Sequence, residues 1–231
     1  MFATKIQHTN MSAAPPSCAH YDVGEITGMN RLAVRRHPFT AKRRLCRALG
    51  DIWRPSALMA ARASAVAHMF RSAAQPVVVL QARGGDKVHG AETETVPYLE
   101  LIRPRLMDVA NRGFINGTCF IVGDDYEIAR HISNQVGSVL ACHVHNFVKE
   151  NYSHSQHSFN TETDIFHCES TKAVFADIEA LTLANATVGL ARSNLYRVAL
   201  IRRACAGIFK SNQNSFDWQG RDMITDIMLD E

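Results

Sequence analysis

Long apolar runs are missing from this sequence. No stretch of its 231 residues approaches the roughly 18 consecutive apolar residues that a membrane span requires. The region after Met1 also lacks an apolar core long enough for a secretory signal. The first 20 positions contain no Asp or Glu, which weakly favours an organelle transit peptide, but they contain no Arg either. The sequence therefore predicts no transmembrane segment in this chain and leaves its compartment open.

Paired cysteine motifs are missing as well. The six cysteines are widely scattered and include no CxxC pair, a spacing that argues against a structural zinc site. Cys119 and Cys142 lie in apolar, strand-like runs, where a cysteine usually behaves as a small buried hydrophobe. Free, buried thiols are therefore expected, with disulfides as the alternative for a secreted chain.

The excess of charge is small, because 25 basic and 22 acidic residues leave a net charge of +3. A general polyanion binder is therefore not expected. The distribution is uneven, however, since residues 31–47 contain no acid but many basic residues, among them Arg35, Arg36, Lys42, Arg43 and Arg44. Such a segment suits contacts with phosphates or RNA. A solvated basic helix is the simpler interpretation, and no nucleic-acid partner is expected.

Apolar patterning divides the chain into four parts. Residues 1–34 have the pattern of an irregular or disordered tail, 35–75 of a basic and Ala-rich helical lead-in, 76–210 of a Rossmann-like α/β domain, and 211–231 of a C-terminal tail. A hydrophobic fraction of 46% is sufficient for a buried core. The weak amphipathic character of the last part favours a terminal helix that docks on the domain.

Short apolar runs alternate with helical patterns between positions 76 and 210. The Val-rich runs are typical of strands that are buried on both faces. Regular alternation of strand and helix predicts a parallel sheet with right-handed crossovers. The predicted strands are Val77–Leu80, Thr118–Gly123, Val139–Val144 and Ala186–Leu190; the predicted helices are Val96–Arg112, Tyr126–Val136, Thr171–Ala184 and Leu195–Phe209, and the lead-in is helical over Phe39–Arg71 with a second start at Pro55 and Ser56.

Polar residues follow the first predicted strand. They form the block Gln81-Ala-Arg83-Gly84-Gly85-Asp86-Lys87-Val88. Ligands of an open α/β sheet bind outside the carboxyl ends of its strands. Glycine at a turn lets the backbone approach a ligand closely, and the planar fork of Arg suits phosphate oxygens. A structural turn with an Asp–Lys pair is the alternative, and the block is not a P-loop.

Two acidic residues, Asp124 and Asp125, follow the second predicted strand. An Asp between a strand and a helix is most often a helix N-cap. The pair could instead accept hydrogen bonds from ribose hydroxyls or orient Arg83. No His or third acid stands nearby at ligand spacing, so no metal ion is expected.

The third block spans Asp177 to Arg197. Asp177 lies in a predicted helix, and Ser193 and Asn194 open the next helix directly after a strand. A helix N-terminus at the end of a strand is a ready anion site. The alternative is that Ser193 only caps the helix and that Arg197 is a surface residue.

The three blocks, in this order, resemble motifs of the α-1,6-fucosyltransferases. That family carries a block of the type His-x-Arg-Arg-x-Asp-Lys-Val. In the corresponding block of this chain, Gln81 stands in place of the His and Gly84 in place of the second Arg. The family's Thr-Asp-Asp strand end is similar to Gly123-Asp124-Asp125. Its Ser-Ser pair, with Arg four residues after the second Ser, is similar to the segment from Ser193 to Arg197. The resemblance covers roughly Ile52 to Phe209.

The resemblance implies roles for individual residues. Arg83 would hold the diphosphate of the donor, Asp177 would contact its guanine side, and Ser193 would contact a phosphate. Glu92, or Glu94 in its place, would act with Lys87 to activate the acceptor hydroxyl. The implied catalytic residues are Glu92, Arg83, Lys87 and Asp86, and the implied donor-binding residues are Gln81, Arg83, Asp124, Asp125, Asp177, Ser193, Asn194 and Arg197.

The resemblance also implies a fold and an activity. The fold is the C-terminal, nucleotide-binding half of a GT-B glycosyltransferase with a short helical N-terminal extension, so that 76–210 would be the GDP-sugar-binding domain. The activity is an inverting, metal-independent transfer of fucose from GDP-fucose to a glycan hydroxyl, without a cofactor, in the Golgi or secretory lumen. Only about 75 residues precede the first strand, too few for an acceptor-side half, so the expectation is either a minimal or truncated member or a true protein that is longer. The alternatives are a GDP-sugar-binding pseudoenzyme and a nucleic-acid-binding protein that uses 31–47.

Overall fold

The computed structural model describes residues 38–84, 98–114, 116–145, 161, 163–190, 193–208 and 215–217. Its strands form one five-stranded parallel sheet, so the predicted α/β class with a Rossmann-like parallel sheet is confirmed. Within these residues, no helix is both long and apolar enough to cross a membrane.

The elements are α1 (Pro38–Ile52), α2 (Ala57–Ser72), β1 (Val77–Ala82), α3 (Tyr98–Val109, followed by a π-helical turn at Ala110–Phe114), β2 (Thr118–Gly123), α4 (Tyr126–Val136), β3 (Cys142–Val144), α5 (Asp164–Leu183), β4 (Ala186–Gly189), α6 (Asn194–Cys205) and β5 (Ser215–Asp217).

The central strand β1 explains why its sequence is a continuous apolar run. All six of its residues are buried, because β2 and β4 pair with its two edges and helices cover both faces. Alternate residues of a strand point to opposite faces. Val78 and Leu80 therefore belong to the core under α3 and α4, whereas Val77 and Val79 belong to the core under α2, α5 and α6.

The strand order β3-β2-β1-β4-β5 places a topological switch point between β1 and β4. From β1 the chain moves outward through β2 to β3, and it then crosses back through α5 to pair β4 with the other edge of β1. In open α/β sheets, helices from the two directions generally leave a crevice outside the carboxyl ends of the strands at the switch point, and ligands bind there. The fold thus fixes the location of the candidate site.

The helical lead-in packs on the domain. Leu45 and Leu49 of α1 contact Ile201 and Ala204 of α6. The indole nitrogen of Trp53 donates a hydrogen bond of 3.2 Å to Glu179. The Trp53 ring also stacks on Phe175 with the ring centroids 4.8 Å apart. Arg202 forms an ion pair with Glu179, and its guanidinium lies 4.3 Å from the Trp53 ring centroid.

A fully buried arginine, Arg203, fixes the end of α5. Its guanidinium donates to the backbone oxygens of Leu181 and Thr182 at 3.1 Å and also to that of Ala184. These carbonyls are the acceptors that a helix leaves unsatisfied at its C-terminus. Burial lowers the pKa of Arg203 to about 10, so the side chain stays charged at neutral pH. Arg203 thereby anchors the helix that carries Asp177.

The expectation of free thiols is wrong. Cys46 of α1 is bonded to Cys205 of α6, and Cys119 of β2 is bonded to Cys142 of β3. Cys168 is disulfide-bonded as well. Cys119 and Cys142 are buried, as expected, but they are also register partners on neighbouring strands with Cα atoms 4.4 Å apart. That pairing depends on the register of two strands, which the sequence pattern does not reveal.

Several predicted boundaries shift for local reasons. Strand β3 begins at Cys142, later than predicted, because the backbone N–H groups of Val139 and Leu140 both donate to the Val136 oxygen in a turn. Helix α6 ends at Cys205, earlier than predicted, since Gly207 follows in the left-handed region with a φ of 70°. The helix expected in the C-terminal tail is wrong for 215–217, which form the edge strand β5.

Replacing Gly189 with Ala should destabilise the fold. A Cβ atom at Gly189 would lie 2.4 Å from the ring of Tyr196, whose hydroxyl lies 3.1 Å from the Thr187 hydroxyl. Because that ring is fully buried, the substitution should lower the free energy of unfolding by about 1–3 kcal/mol. Gly50→Ala is the matched control: Gly50 lies on α1 with no atom near its missing Cβ, so this change should stabilise by up to about 1 kcal/mol. Urea unfolding measures the change in the free energy of unfolding for each variant. A change of the same sign in both variants would contradict this packing.

Candidate functional site

The carboxyl ends of β1, β2 and β4 bring residues from all three sequence blocks to one edge of the sheet. Gln81 lies within β1, Asp124 directly follows β2, and Ser193 follows β4 and precedes α6. β1 pairs with both β2 and β4, so these three positions lie on adjacent strand ends. The predicted convergence of the blocks at the sheet edge therefore agrees with the topology.

Arg83 is held at this edge by Asp124. Its guanidinium forms an ion pair with one carboxylate oxygen of Asp124, and the backbone N–H of Gly84 donates to the other oxygen at 2.6 Å. Both side chains are mostly buried, so the pair is stronger than one in open solvent. The interpretation that Asp124 orients Arg83 agrees with this geometry.

Asp125 has a local structural role. Its side chain accepts a hydrogen bond of 2.9 Å from the backbone N–H of Ile128 and so caps the N-terminus of α4. The alternative of a helix N-cap is thus confirmed for this residue. Its contact with a ribose stays a prediction.

A buried side-chain amide joins β1 to the turn before α6. Gln81 is 2% exposed, and its amide nitrogen donates to the hydroxyl oxygen of Ser193 at 2.9 Å. Its amide oxygen accepts from the backbone N–H of Leu190 at 3.3 Å. Ser193 occupies the N-cap position of α6, but its side chain makes no capping hydrogen bond. Asn194 is exposed and Arg197 is half-buried on the first turn of α6.

Asp177 is a buried carboxylate on the inner side of α5. The residue is 4% exposed, and its Oδ1 atom has no hydrogen-bond partner among the described residues. Burial raises the pKa of Asp177 well above its usual value, the nearby Asp124 carboxylate raises it further, and Arg62 opposes both effects. A carboxyl group held in this way is costly to ionise, and such groups are concentrated at functional sites.

His145 and Arg62 are neighbours of this site that the sequence analysis did not single out. His145 directly follows β3, packs edge-on against Phe120, and places its Nε2 atom 2.6 Å from the Met69 sulfur. Burial, together with Arg62, lowers the pKa of His145 to about 4, so the ring is neutral at pH 7. The position directly after a strand, which pointed to Asp124, could also have pointed to His145, because both residues follow strands at the same edge of the sheet.

Several site residues implied by the resemblance lie outside the described residues. These are Asp86, Lys87 and Glu92, together with the substitute Glu94. Their roles stay predictions. Across the part of the chain that the structure describes, no group of three or more His, Cys, Asp or Glu side chains could hold a metal ion.

Comparison with known proteins gives matches among solved structures. No protein-family model matches the chain, and no curated protein matches it. A crystal structure of POFUT1 in complex with GDP aligns with a TM-score of 0.44 and 12% sequence identity, covering 71% of this chain and 48% of that chain. A crystal structure of POFUT1 in complex with GDP-fucose aligns with a TM-score of 0.42 and 12% identity, covering 71% of this chain and 47% of that chain. The chain thus spans about half the length of the solved structures that it matches.

Replacing Asp177 with Asn should stabilise the protein at neutral pH. Because the folded-state pKa of Asp177 is raised, the wild type loses stability as the pH rises from the unfolded pKa of about 4 through the folded pKa. Asn mimics the protonated carboxyl and removes this loss. Melting temperatures should therefore be similar for both proteins near pH 4, and the variant should melt higher at pH 8.

The matched control is Asp51→Asn, because Asp51 lies exposed on α1. The melting temperature of this variant relative to the wild type should change little over the same pH range, since the exposed ion pair between Asp51 and Arg54 contributes little to stability. If the melting temperature of Asp177→Asn relative to the wild type falls as the pH rises, the change has the wrong sign. That result would contradict a raised pKa of the buried Asp177 carboxyl.

Proposed function

We propose that this chain binds a GDP-sugar at the carboxyl edge of β1, β2 and β4 and belongs, distantly, to the fucosyltransferase type of glycosyltransferase. The reaction would be transfer of fucose from GDP-fucose to a glycan hydroxyl, with inversion and without a metal ion. The observation that supports this best is the position of Arg83, which Asp124 holds at the end of β1 beside the switch point. In this proposal the domain corresponds to the nucleotide-binding half of a GT-B enzyme.

The proposed role of Arg83 follows from the charge of the leaving group. As the bond between the sugar and the phosphate oxygen breaks, negative charge grows on the GDP diphosphate. The Arg83 guanidinium, the Ser193 hydroxyl and the positive end of the α6 dipole would stabilise that charge. Arg83 directly follows β1, and Ser193 lies between β4, which pairs with β1, and α6. One diphosphate at this edge could therefore contact both side chains.

The proposed base is Glu92, which follows the first block, and Lys87 and Asp86 within that block would act with it. Its carboxylate would accept the proton of the acceptor hydroxyl as the hydroxyl oxygen attacks the anomeric carbon. Attack from the side opposite to the leaving diphosphate gives inversion in one step. The acceptor itself would be a glycan, which is the partner implied by the resemblance.

A donor-binding pseudoenzyme is the second candidate, and one contact favours it. A Cβ atom at Gly84 would lie 2.4 Å from Ile128 Cδ1 and 2.6 Å from Asp125 Cβ, so the backbone there leaves no space for a side chain. The family that the block resembles carries a second Arg at this position. One cation fewer beside the diphosphate would weaken stabilisation of the leaving group more than it weakens binding.

The disulfides support an oxidising compartment for this proposal. Cys46–Cys205 and Cys119–Cys142 are both intact. Disulfides persist in the secretory lumen and are rare in the cytosol. We therefore propose the secretory lumen, including the Golgi, as the place of action.

Arg83→Ala should weaken GDP binding. GDP should bind the folded wild type better than ADP or UDP does, and loss of the guanidinium should cost about 1.5–3 kcal/mol, the usual size for a hydrogen bond to a charged group. Arg43→Ala is the control, because Arg43 is exposed on α1 and should change the affinity less than about twofold. Isothermal titration calorimetry measures both. Equal losses at Arg83 and Arg43 would indicate non-specific attraction of a polyanion and would contradict the proposed site.

Glu92→Gln should separate binding from catalysis. The amide keeps the shape of the side chain but cannot accept a proton, so GDP affinity should be retained while transfer from GDP-fucose is lost. Release of GDP and labelling of acceptor glycans measure the transfer. A variant that still transfers fucose would exclude Glu92 as the base, and a wild type that binds GDP-fucose without any transfer would favour the pseudoenzyme.

A further inference from the structure

Both ends of the Gln81 amide are used within the core. One end contacts the Leu190 backbone N–H at 3.3 Å, and the other contacts the Ser193 hydroxyl at 2.9 Å. The turn between these two partners is also closed by its own backbone hydrogen bond, from the Ser193 N–H to the Leu190 oxygen at 2.8 Å. Gln81 therefore binds Leu190, which directly follows β4, and Ser193, which directly precedes α6, and holds both residues against the end of β1.

Chemistry fixes the direction of each of these hydrogen bonds. A backbone N–H can only donate, so the atom facing Leu190 must be the amide oxygen of Gln81. The amide nitrogen then faces Ser193, and because an amide NH₂ group can only donate, the Ser193 oxygen must accept. The hydroxyl hydrogen of Ser193 is thus excluded from this contact and must point elsewhere.

The usual local acceptor for that hydrogen is not used. Ser193 stands at the N-cap of α6, and the side chain makes no capping bond. Within the part of the chain that the structure describes, the hydroxyl has Gln81 as its hydrogen-bond partner and no acceptor of its own. The residue is buried, with 6% of its surface exposed, and it directly precedes α6 at the carboxyl edge of the sheet beside the switch point.

We infer that Gln81 is a positioning residue, which turns the Ser193 hydroxyl so that its hydrogen points at the diphosphate of the bound donor. This inference rests on the proposed function, since it names the orientation of a contact within that same site. The phosphate oxygens are acceptors only, and therefore a hydroxyl aimed as a donor is favourable there. A glutamate in place of Gln81 would accept the hydroxyl hydrogen and present the oxygen of Ser193 to the phosphate, which is unfavourable.

The test is a double-mutant cycle on Gln81→Leu and Ser193→Ala. GDP and guanosine are titrated into the wild type, the two single variants and the double variant. Ser193→Ala should weaken GDP binding roughly 10- to 100-fold, the size expected for a lost hydrogen bond to a charged group, and Gln81→Leu should weaken it by less, because the hydroxyl can still rotate towards the phosphate. The double variant should bind GDP no more weakly than Ser193→Ala alone, because the two residues act through one hydroxyl. Guanosine has no phosphate, so its affinity should stay within about twofold of the wild type.

Gln81→Glu tests the direction of the hydroxyl with almost no change in shape. It should weaken GDP binding strongly in the wild-type background and clearly less in the Ser193→Ala background, where no hydroxyl remains to be reversed. The negative charge acts in both backgrounds, so the difference between them isolates the hydroxyl. If Gln81→Leu does not fold, Gln81→Glu takes its place in the experiment. Gln75→Leu, at the opposite end of β1, is the matched control and should leave GDP affinity unchanged.

The outcomes distinguish this inference from the proposed function. A folded wild type that binds no GDP would overturn both. A wild type that binds GDP, with additive losses from Gln81→Leu and Ser193→Ala or with equal losses for GDP and guanosine, would overturn the positioning role alone. Equal effects of Gln81→Glu in both backgrounds would do the same.

Discussion

The side-chain amide of Gln81 is the interaction on which the geometry of this sheet edge depends. It spans the switch point, where β1 and β4 are neighbours in the sheet although more than one hundred residues separate Gln81 from its partners. Because the residue is buried, an unsatisfied amide there would cost about 1–3 kcal/mol. Its two hydrogen bonds avoid that cost and fix where α6 begins. Ser193 at the helix start and Arg83 beyond the end of β1 therefore have defined positions relative to each other.

The charges around this edge follow from the same topology. Asp124 ends β2 and pairs with Arg83 beyond β1, which places an ion pair across two adjacent strands. Asp177 faces the same region from α5, where burial and Asp124 both disfavour its charged form. Arg203 holds the end of that helix through three backbone oxygens. A buried carboxyl without a hydrogen bond to Oδ1 reduces stability, and proteins usually retain such costs at functional sites.

Local patterns in the sequence were sufficient to predict most elements of the fold. The Val-rich run at Val77 and the run at Thr118 gave strands, and the helix from Tyr126 to Val136 begins and ends as predicted. Pairings that depend on three-dimensional register were not predictable in this way. The disulfide between Cys119 and Cys142 is one example, because it requires β2 and β3 to be neighbours with that register. The edge strand at 215–217 is another, since its weak apolar pattern is compatible with either a helix or a strand.

The candidate site was predictable to a similar degree. The alternation of strand and helix predicted a parallel sheet, and polar residues that follow parallel strands lie at one edge of the sheet. This pattern was sufficient to predict that Arg83, Asp124 and Ser193 lie at the same edge. What each side chain contacts did not follow. Capping of α6 by Ser193 was only the alternative interpretation, and the Ser193 side chain makes no capping bond but is bonded to Gln81. His145, which directly follows β3, was not considered at all. Those contacts depend on distances between strand ends, which no local pattern encodes.

A crystal structure of the chain with bound GDP would locate the nucleotide. We expect the diphosphate at the carboxyl edge between β1 and β4, with phosphate oxygens within hydrogen-bond distance of the Arg83 guanidinium and the Ser193 hydroxyl. GDP bound along the exposed basic side of α1, or at the amino ends of the strands, would contradict this expectation.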